Sequence, residues 1–229
     1  MSTTALIVGA GSGLSAALAR RLSSRGYRCT LAARNPGKIA ALCAETGATA
    51  VACDTSVVAD VDALFAGLDR DAVVPDVVVY NPSFRVRGAF VDLDRDAVAK
   101  TIAVTAYGGF LIGQAAAKRM LPRGSGTILF TGASASVKGY AQSAPFAMGK
   151  FALRGLAQSM ARELSPKGLH IGHVVVDGGI RSATRLVPHD APDSLLDPDA
   201  IADAYLHLID QPRSAWSWEI EVRPWVEKF

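Results

Sequence analysis

Two stretches restrict this chain more than any others: Asp76-Val77-Val78-Val79-Tyr80 and His173-Val174-Val175-Val176, where apolar side chains follow one another with no polar break. Successive side chains of a strand point to opposite faces, so an unbroken run of β-branched residues needs apolar cover on both. A parallel sheet flanked by helices supplies that cover. The rest of the chain follows the same plan. Short apolar runs near 4–9, 28–33, 48–53, 76–80, 126–131, 170–176 and 218–222 predict seven strands. Segments of helical period near 13–25, 36–45, 57–68, 95–120, 145–165 and 198–210 alternate with them. The expectation is a single doubly wound α/β domain over residues 1–229, with a central, mostly parallel seven-stranded sheet that binds ligands beyond the carboxyl ends of its strands.

With 229 residues, half of them apolar and a fifth charged, the chain has material for one well-covered core. The net charge of +3 is dispersed, with no basic stripe interleaved with aromatics, so nucleic acid is not an expected partner. Cys29, Cys43 and Cys53 lack metal-ligand spacing and read as reduced thiols, and no metal is expected. Ala5-Leu6-Ile7-Val8 opens a strand directly rather than a leader, and no run approaches the roughly 18 apolar residues of a membrane span. A cytoplasmic protein without a membrane partner is expected.

After the first apolar run comes Gly9-Ala10-Gly11-Ser12-Gly13-Leu14, opening a helix. Glycines allow close backbone approach to a pyrophosphate, and the free N–H groups of a helix start favour an anion. In this strand, turn and helix context the loop predicts a dinucleotide site. The second strand ends Leu31-Ala32-Ala33-Arg34-Asn35, with a guanidinium where a carboxylate would hold the ribose hydroxyls of NAD. Arg34 therefore favours NADP(H) over NAD(H).

Gly9-x-x-x-Gly13, Asp54 after the third strand, Asp76-Val-Val-Val-Tyr80-Asn81 at the fourth and Lys150 on a long helix together resemble the short-chain dehydrogenase/reductase family over essentially the whole chain. The resemblance implies a Rossmann fold and a small-molecule substrate. It also implies cofactor contacts from Gly9, Gly11, Ser12, Gly13 and Leu14. Asp54 and the adjoining Thr55 would meet the adenine side, the backbone at Asn81 the adenosine half, and Lys150 the nicotinamide ribose. In Asp177-Gly178-Gly179-Ile180-Arg181-Ser182, Gly178, the Ile180 backbone and the Ser182 hydroxyl would meet the carboxamide. Members of the family commonly pair through two long helices, here near 95–120 and 145–164, so a homodimer or homotetramer is expected. Small residues in both segments, such as Ala115 to Ala117, would allow close approach of a partner.

The family's catalytic Asn, Ser and Tyr are replaced. Its Tyr-x-x-x-Lys reads Phe146-Ala147-Met148-Gly149-Lys150, and phenylalanine cannot donate a proton. Its serine aligns with Ala133, followed by Ser134 and Ser136, and its asparagine with Thr105. Substitute donors are Ser134, Tyr140, Ser143, Tyr107, Tyr80 and Lys150 itself. His170, His173, His189 and His207 show no ligand spacing and read as structural or exposed. Two functions follow: an NADP(H)-dependent oxidoreductase acting on a small carbonyl or enone with an altered proton-delivery group, or a non-catalytic NADP(H)-binding redox sensor or partner subunit. Residues 183–198 are expected to cover the substrate.

Overall fold

The computed structural model describes residues 3–227; residues 1, 2, 228 and 229 of the expected domain lie outside the described residues. All seven predicted strands form: β1 (Thr4–Val8), β2 (Arg28–Ala33), β3 (Thr49–Ala52), β4 (Val77–Tyr80), β5 (Gly126–Thr131), β6 (Leu169–Val176) and β7 (Glu219–Val222). They lie in the order β3-β2-β1-β4-β5-β6-β7, and every neighbouring pair is parallel. The uninterrupted runs that predicted two-sided cover, β4 and β6, are buried along their whole length.

Helices α1 (Leu14–Ser24) and α7 (Pro198–Ile209) cover one face. There Leu18, Leu22, Tyr205 and Leu206 meet Ile7, Val77 and Val79. The other face is covered by α3 (Val58–Arg70), α5 (Gly108–Met120) and α6 (Ala144–Leu164). On that side Phe65, Ile112 and Leu153 meet the alternate strand residues Leu6, Val78 and Tyr80. Each fully buried apolar side chain contributes about 1.5–3 kcal/mol, so the two layers hold the strands far more firmly than the loops at their ends.

Two helical segments depart from the expected boundaries. Residues Pro36–Ile39 form a tight 3-10 turn before α2 (Ala40–Thr46), because Asn35 accepts the Gly37 N–H at 3.1 Å and Pro36 supplies no donor. The segment 95–120 is not one α-helix. It divides into α4 (Arg95–Ile102) and α5, joined by a π turn over Ala103–Tyr107 in which the Gly108 N–H reaches back to the Ala103 carbonyl. The Tyr80 hydroxyl donates to the Val104 carbonyl in that turn and lies 3.3 Å from Thr55 Oγ1. Gly108 leaves the room required, since a Cβ there would stand 2.5 Å from Tyr80 Oη.

The small residues of the long helices are largely taken up within the chain. A Cβ on Gly109 would lie 2.5 Å from Leu153, one on Gly113 3.1 Å from Met160, and one on Gly149 2.9 Å from Thr105. They let α5 and the π turn approach α6 closely.

His173 of β6 is fully buried, with Nδ1 2.9 Å from Glu219 Oε2 on β7. Arg154 of α6 grips the same carboxylate at 2.6 and 2.7 Å. Burial lowers the His173 pKa to about 4; Glu219 opposes the shift, while the charges of Lys150 and Arg154 add to it. The folded state thus holds a neutral imidazole that the unfolded chain would protonate below its ordinary value of 6.5. Stability from this group is complete above about pH 6.5 and is lost as pH falls toward 4. Denaturant unfolding across this window should show a slope near 1.4 kcal/mol per pH unit for each such proton, reduced by about one proton's worth in His173→Gln. An unchanged slope would mean that His173 is not held neutral.

Candidate active site

Gly9 bends the chain out of β1 with φ of 81°, a conformation that favours glycine. A Cβ there would lie 2.6 Å from the backbone nitrogen of Pro82, so the loops after β1 and β4 touch only because Gly9 has no side chain. The Asn81 amide donates to Ser15 Oγ at 2.8 Å, and Ser15 donates to the Gly9 carbonyl at 3.0 Å. Asn81 thus pins the glycine loop with its side chain. The N–H groups of Gly9 and Ala10 share the Ala32 carbonyl. Among the described residues those of Gly11, Ser12, Gly13 and Leu14 have no backbone acceptor, and space is open above Gly11 and Gly13. Leu14 gives only its N–H to this loop, since its side chain lies in the core.

Two adjoining hollows flank the loop. One, of 280 Å³, is lined by Gly9, Ala10, Arg34, Asp54, Thr55, Asn81 and Val104. The other, of 580 Å³, is lined by Gly11, Ser12, Arg34, Asn35 and Lys38 among others. Burial alone would raise the Asp54 pKa, but hydrogen bonds from Ser56 and the charges of Arg34 and Lys100 outweigh it and hold the carboxyl below its usual range. One Asp54 oxygen caps the turn by accepting from the Ser56 N–H and hydroxyl, at 3.0 and 2.6 Å. Thr55 is buried beneath the α5 backbone. Lys38, which the sequence did not single out, adds a second cation beside Arg34. Unbonded N–H groups over open space, with two cations that form no ion pair among the described residues, fit the phosphates and adenosine of a dinucleotide.

The residues expected at the catalytic end stand on β5, α6 and the loops before them. Lys150 is buried, and its Nζ donates to the Thr131 carbonyl at 2.6 Å. Burial lowers its pKa to about 8. Its ammonium is 5.8 Å from the centre of the Phe146 ring, and the Arg85 guanidinium stands over the same ring at 4.8 Å. Arg85 also approaches Ser143 Oγ at 3.4 Å. Burial first, then the like charges of Arg87 and Arg185, depress the Arg85 pKa. Residues 82–89 have no period or motif, so the sequence offered no signal for Arg85.

The other predicted donors fall in different places. Tyr80 is buried and committed to the π turn, and burial pushes its pKa well up. Tyr107 stacks on Phe110 at 6.2 Å, on the exposed side. Ser143 is fully buried. Ser136 Oγ accepts from the Ala133 N–H at 3.1 Å and holds its own turn. Thr105 is buried against Gly149, its hydroxyl without a partner among the described residues. Ser134 is half-buried, and Tyr140 is exposed with the Lys138 ammonium 5.9 Å from its ring. In the last loop, Gly178 lies against Pro224. Backbone bonds from Arg181 to Leu196 and from Leu196 to Gly179 tie the Ile180 backbone down. The Ser182 hydroxyl accepts from the Arg185 N–H at 3.1 Å and lies 3.3 Å from the Thr184 hydroxyl, so it is engaged in a local turn.

The three cysteines are free, with Cys43 only half-buried, and no helix among the described residues is long and apolar enough to cross a membrane. A family model described as short chain dehydrogenase matches residues 3–189. An uncharacterized oxidoreductase of Staphylococcus aureus strain N315 is 28% identical over 226 residues, 96% of each chain. Among solved structures, a short-chain dehydrogenase from Rhodopseudomonas palustris is 33% identical with a TM-score of 0.84, covering 97% of this chain and 99% of that one. A metagenomic short-chain oxidoreductase in complex with NADP is 28% identical, again with a TM-score of 0.84 and 97% of both chains covered. With its parallel sheet, its open glycine loop and a family match that spans most of its length, this chain belongs to the short-chain dehydrogenase family and is an oxidoreductase of that type.

Proposed function

We propose that this chain is an NADP(H)-dependent oxidoreductase that reduces a small carbonyl compound or an enone, with a proton-delivery group other than the phenol usual in its family. The observation that carries the proposal is the buried ammonium of Lys150, 5.8 Å from a ring that takes the phenol's place in the sequence. Burying a charge is costly unless it serves a purpose, and an apolar side chain would fill the same space at less cost.

When bound, the nicotinamide supplies or accepts hydride. The glycine loop from Gly9 to Leu14 would hold the pyrophosphate, Asp54, Thr55 and Asn81 would border the adenosine, and Gly178 and the Ile180 backbone would border the carboxamide, with the Ser182 hydroxyl engaged in its own turn beside them. Lys150, with a pKa near 8, carries its proton at neutral pH and gives it up readily at mildly alkaline pH. Phe146, lying between Lys150 and Arg85, would shield one side of the reacting oxygen from water. The hydroxyls that would pass a proton are those of Ser134 and Tyr140, the latter in hydrogen-bond contact with Lys138, while that of Thr105 has no partner among the described residues. Residues 183–198 close over the substrate, their base fastened by the pairing of Ile180 with Leu196 and the 2.8 Å ion pair of Arg181 with Asp197. The free thiols support residence in the reducing cytoplasm.

Preference for NADP(H) rests on Arg34 and Lys38 and agrees with the NADP bound to the metagenomic relative. A charge-assisted phosphate contact is worth about 1.5–3 kcal/mol, so NADPH should bind roughly ten- to hundredfold tighter than NADH, with the preference lost in Arg34→Ala. Calorimetric titration of both nucleotides checks this. Equal affinities in the unaltered protein would refute it.

One observation favours a second function, that of a non-catalytic NADP(H)-binding sensor or partner subunit: the Lys150 ammonium is directed at the Thr131 carbonyl and is only 2% exposed. Turnover separates the two. A reductase should oxidise NADPH with at least one aldehyde, ketone or enone and lose that activity in Lys150→Ala, Tyr140→Phe or Ser134→Ala. A sensor should bind NADPH without turnover. Ala133→Ser with Phe146→Tyr restores a hydroxyl and a phenol and should raise the rate on the order of 10²–10⁴ if only the proton donor is altered. Turnover that survives Lys150→Ala would exclude Lys150 from the site.

Tyr107, Phe110, Met148 and Phe151 are exposed apolar residues in or beside the long helices, and they support a homodimer or homotetramer through these surfaces. Light scattering at micromolar concentration should give a dimer or tetramer, reduced to monomer by Phe151→Glu. Met160→Glu would test the fold instead, because Met160 packs against Gly113. A monomer in the unaltered protein would overturn the assembly.

A further inference from the structure

The substrate end of the cleft carries more positive charge than the chain itself neutralises. Arg85, Arg87 and Arg185 come from segments about a hundred residues apart, 82–89 and 183–198, yet the charges of Arg87 and Arg185 both act on Arg85. None of the three is paired with a carboxylate among the described residues. The acid in the neighbouring turn, Asp177, is already bound by Lys138 at 3.3 Å and Arg223 at 3.4 Å.

The arginines are also held in place. The Gly88 N–H donates to the Gln142 carbonyl at 3.2 Å, fastening the Arg85 loop to the turn before α6. Lys100 stands 5.3 Å over the Phe84 ring on the other side of that loop. Arg85 lies across Phe146 and toward Ser143. Arg185 Nη1 lies above Gly179, 3.0 Å from where a Cβ on that residue would be. One guanidinium thus borders the ring at the phenol's position and another borders the loop expected at the carboxamide. Like charges held together without a counter-ion are unfavourable until an anion joins them.

We propose that the substrate carries a carboxylate or phosphate group and that Arg85 and Arg185, with Arg87 at the rim, hold that anion beside the Phe146 ring. A planar guanidinium binds either group through paired N–H donors. The anion then fixes the orientation of the substrate relative to the reacting carbon, a task the missing serine and phenol no longer perform. This assignment rests on the same cleft as the proposed reductase, so its test includes binding as well as turnover.

The probes are benzoate, phenyl phosphate and the neutral methyl benzoate, titrated calorimetrically into protein saturated with NADP⁺ so that the nucleotide site is filled. At least one anion should bind roughly tenfold or more tighter than the ester. Arg85→Gln and Arg185→Gln should each weaken it about tenfold while changing the ester by less than about twofold, and Arg85→Lys should recover part of the loss. Both side chains are exposed, so the melting temperature should stay close to that of the parent. The tighter of the two anions identifies the group. Equal binding of acid and ester, a loss shared by both in the variants, or no binding of either anion at about ten millimolar would overturn the proposal. NADPH oxidation with 4-carboxybenzaldehyde and methyl 4-formylbenzoate separates the two inferences. Selective anion binding without oxidation would leave the anion site standing and remove the reductase, whereas equal oxidation of both aldehydes would do the reverse.

Discussion

The close approach of Gly9 to Pro82 is the contact on which the site depends. Strand order reverses between β1 and β4, and in a doubly wound sheet the crevice at that reversal is where ligands bind. Here the crevice is closed at its floor by a glycine with positive φ lying on a proline backbone, then locked by the bonds from Asn81 to Ser15 and from Ser15 to the Gly9 carbonyl. Because Asn81 and Ser15 satisfy each other, the N–H groups from Gly11 to Leu14 stay available. A side chain at Gly9 would part the two loops and separate the residues that line the crevice.

The other half of the site hangs from the helix layer. Gly108, Gly109 and Gly113 bring α5 down onto Tyr80, Leu153 and Phe130, and Gly149 brings α6 against Thr105. That closeness places Lys150 beneath Phe146 without exposing it to water. Burial is the largest cause of both the lowered Lys150 and the lowered His173 pKa, and the Lys150 charge adds to the second. The His173, Glu219 and Arg154 cluster ties the edge strand β7 to α6, and through it the sheet edge to the helix that carries the lysine.

The strands were legible because valine runs such as Val77 to Val79 admit few alternatives, and the glycine loop because its chemistry is local. The place of Arg34 could be read for the same reason, since a residue just after β2 must lie beside the glycine loop. What escaped were features made by distant segments. Arg85 lies in an irregular loop, and only the fold brings it over Phe146. Lys38 looked like any surface lysine until the turn after β2 brought it beside Arg34. The division of the 95–120 segment could not be seen either, since a π turn keeps the composition of an α-helix. Ser182, assigned a role by its neighbours in sequence, is occupied by a turn that those neighbours did not announce.

That π turn sets the angular phase of everything after it. One residue in an α-helix advances the side-chain direction by about 100°, so the extra residue accommodated at Ala103–Tyr107 rotates α5 relative to α4 by that amount. Ile112, Ala116 and Met120 face the sheet only because of this offset. A single-residue deletion within the turn would restore regular helix and leave those side chains on the sheet, whereas a regular helix of unchanged length would swing them by that angle toward solvent. The turn is therefore the one place in this segment where a residue can be gained or lost without rotating the core face of α5, while the same change elsewhere in the helix would turn that face away from the sheet.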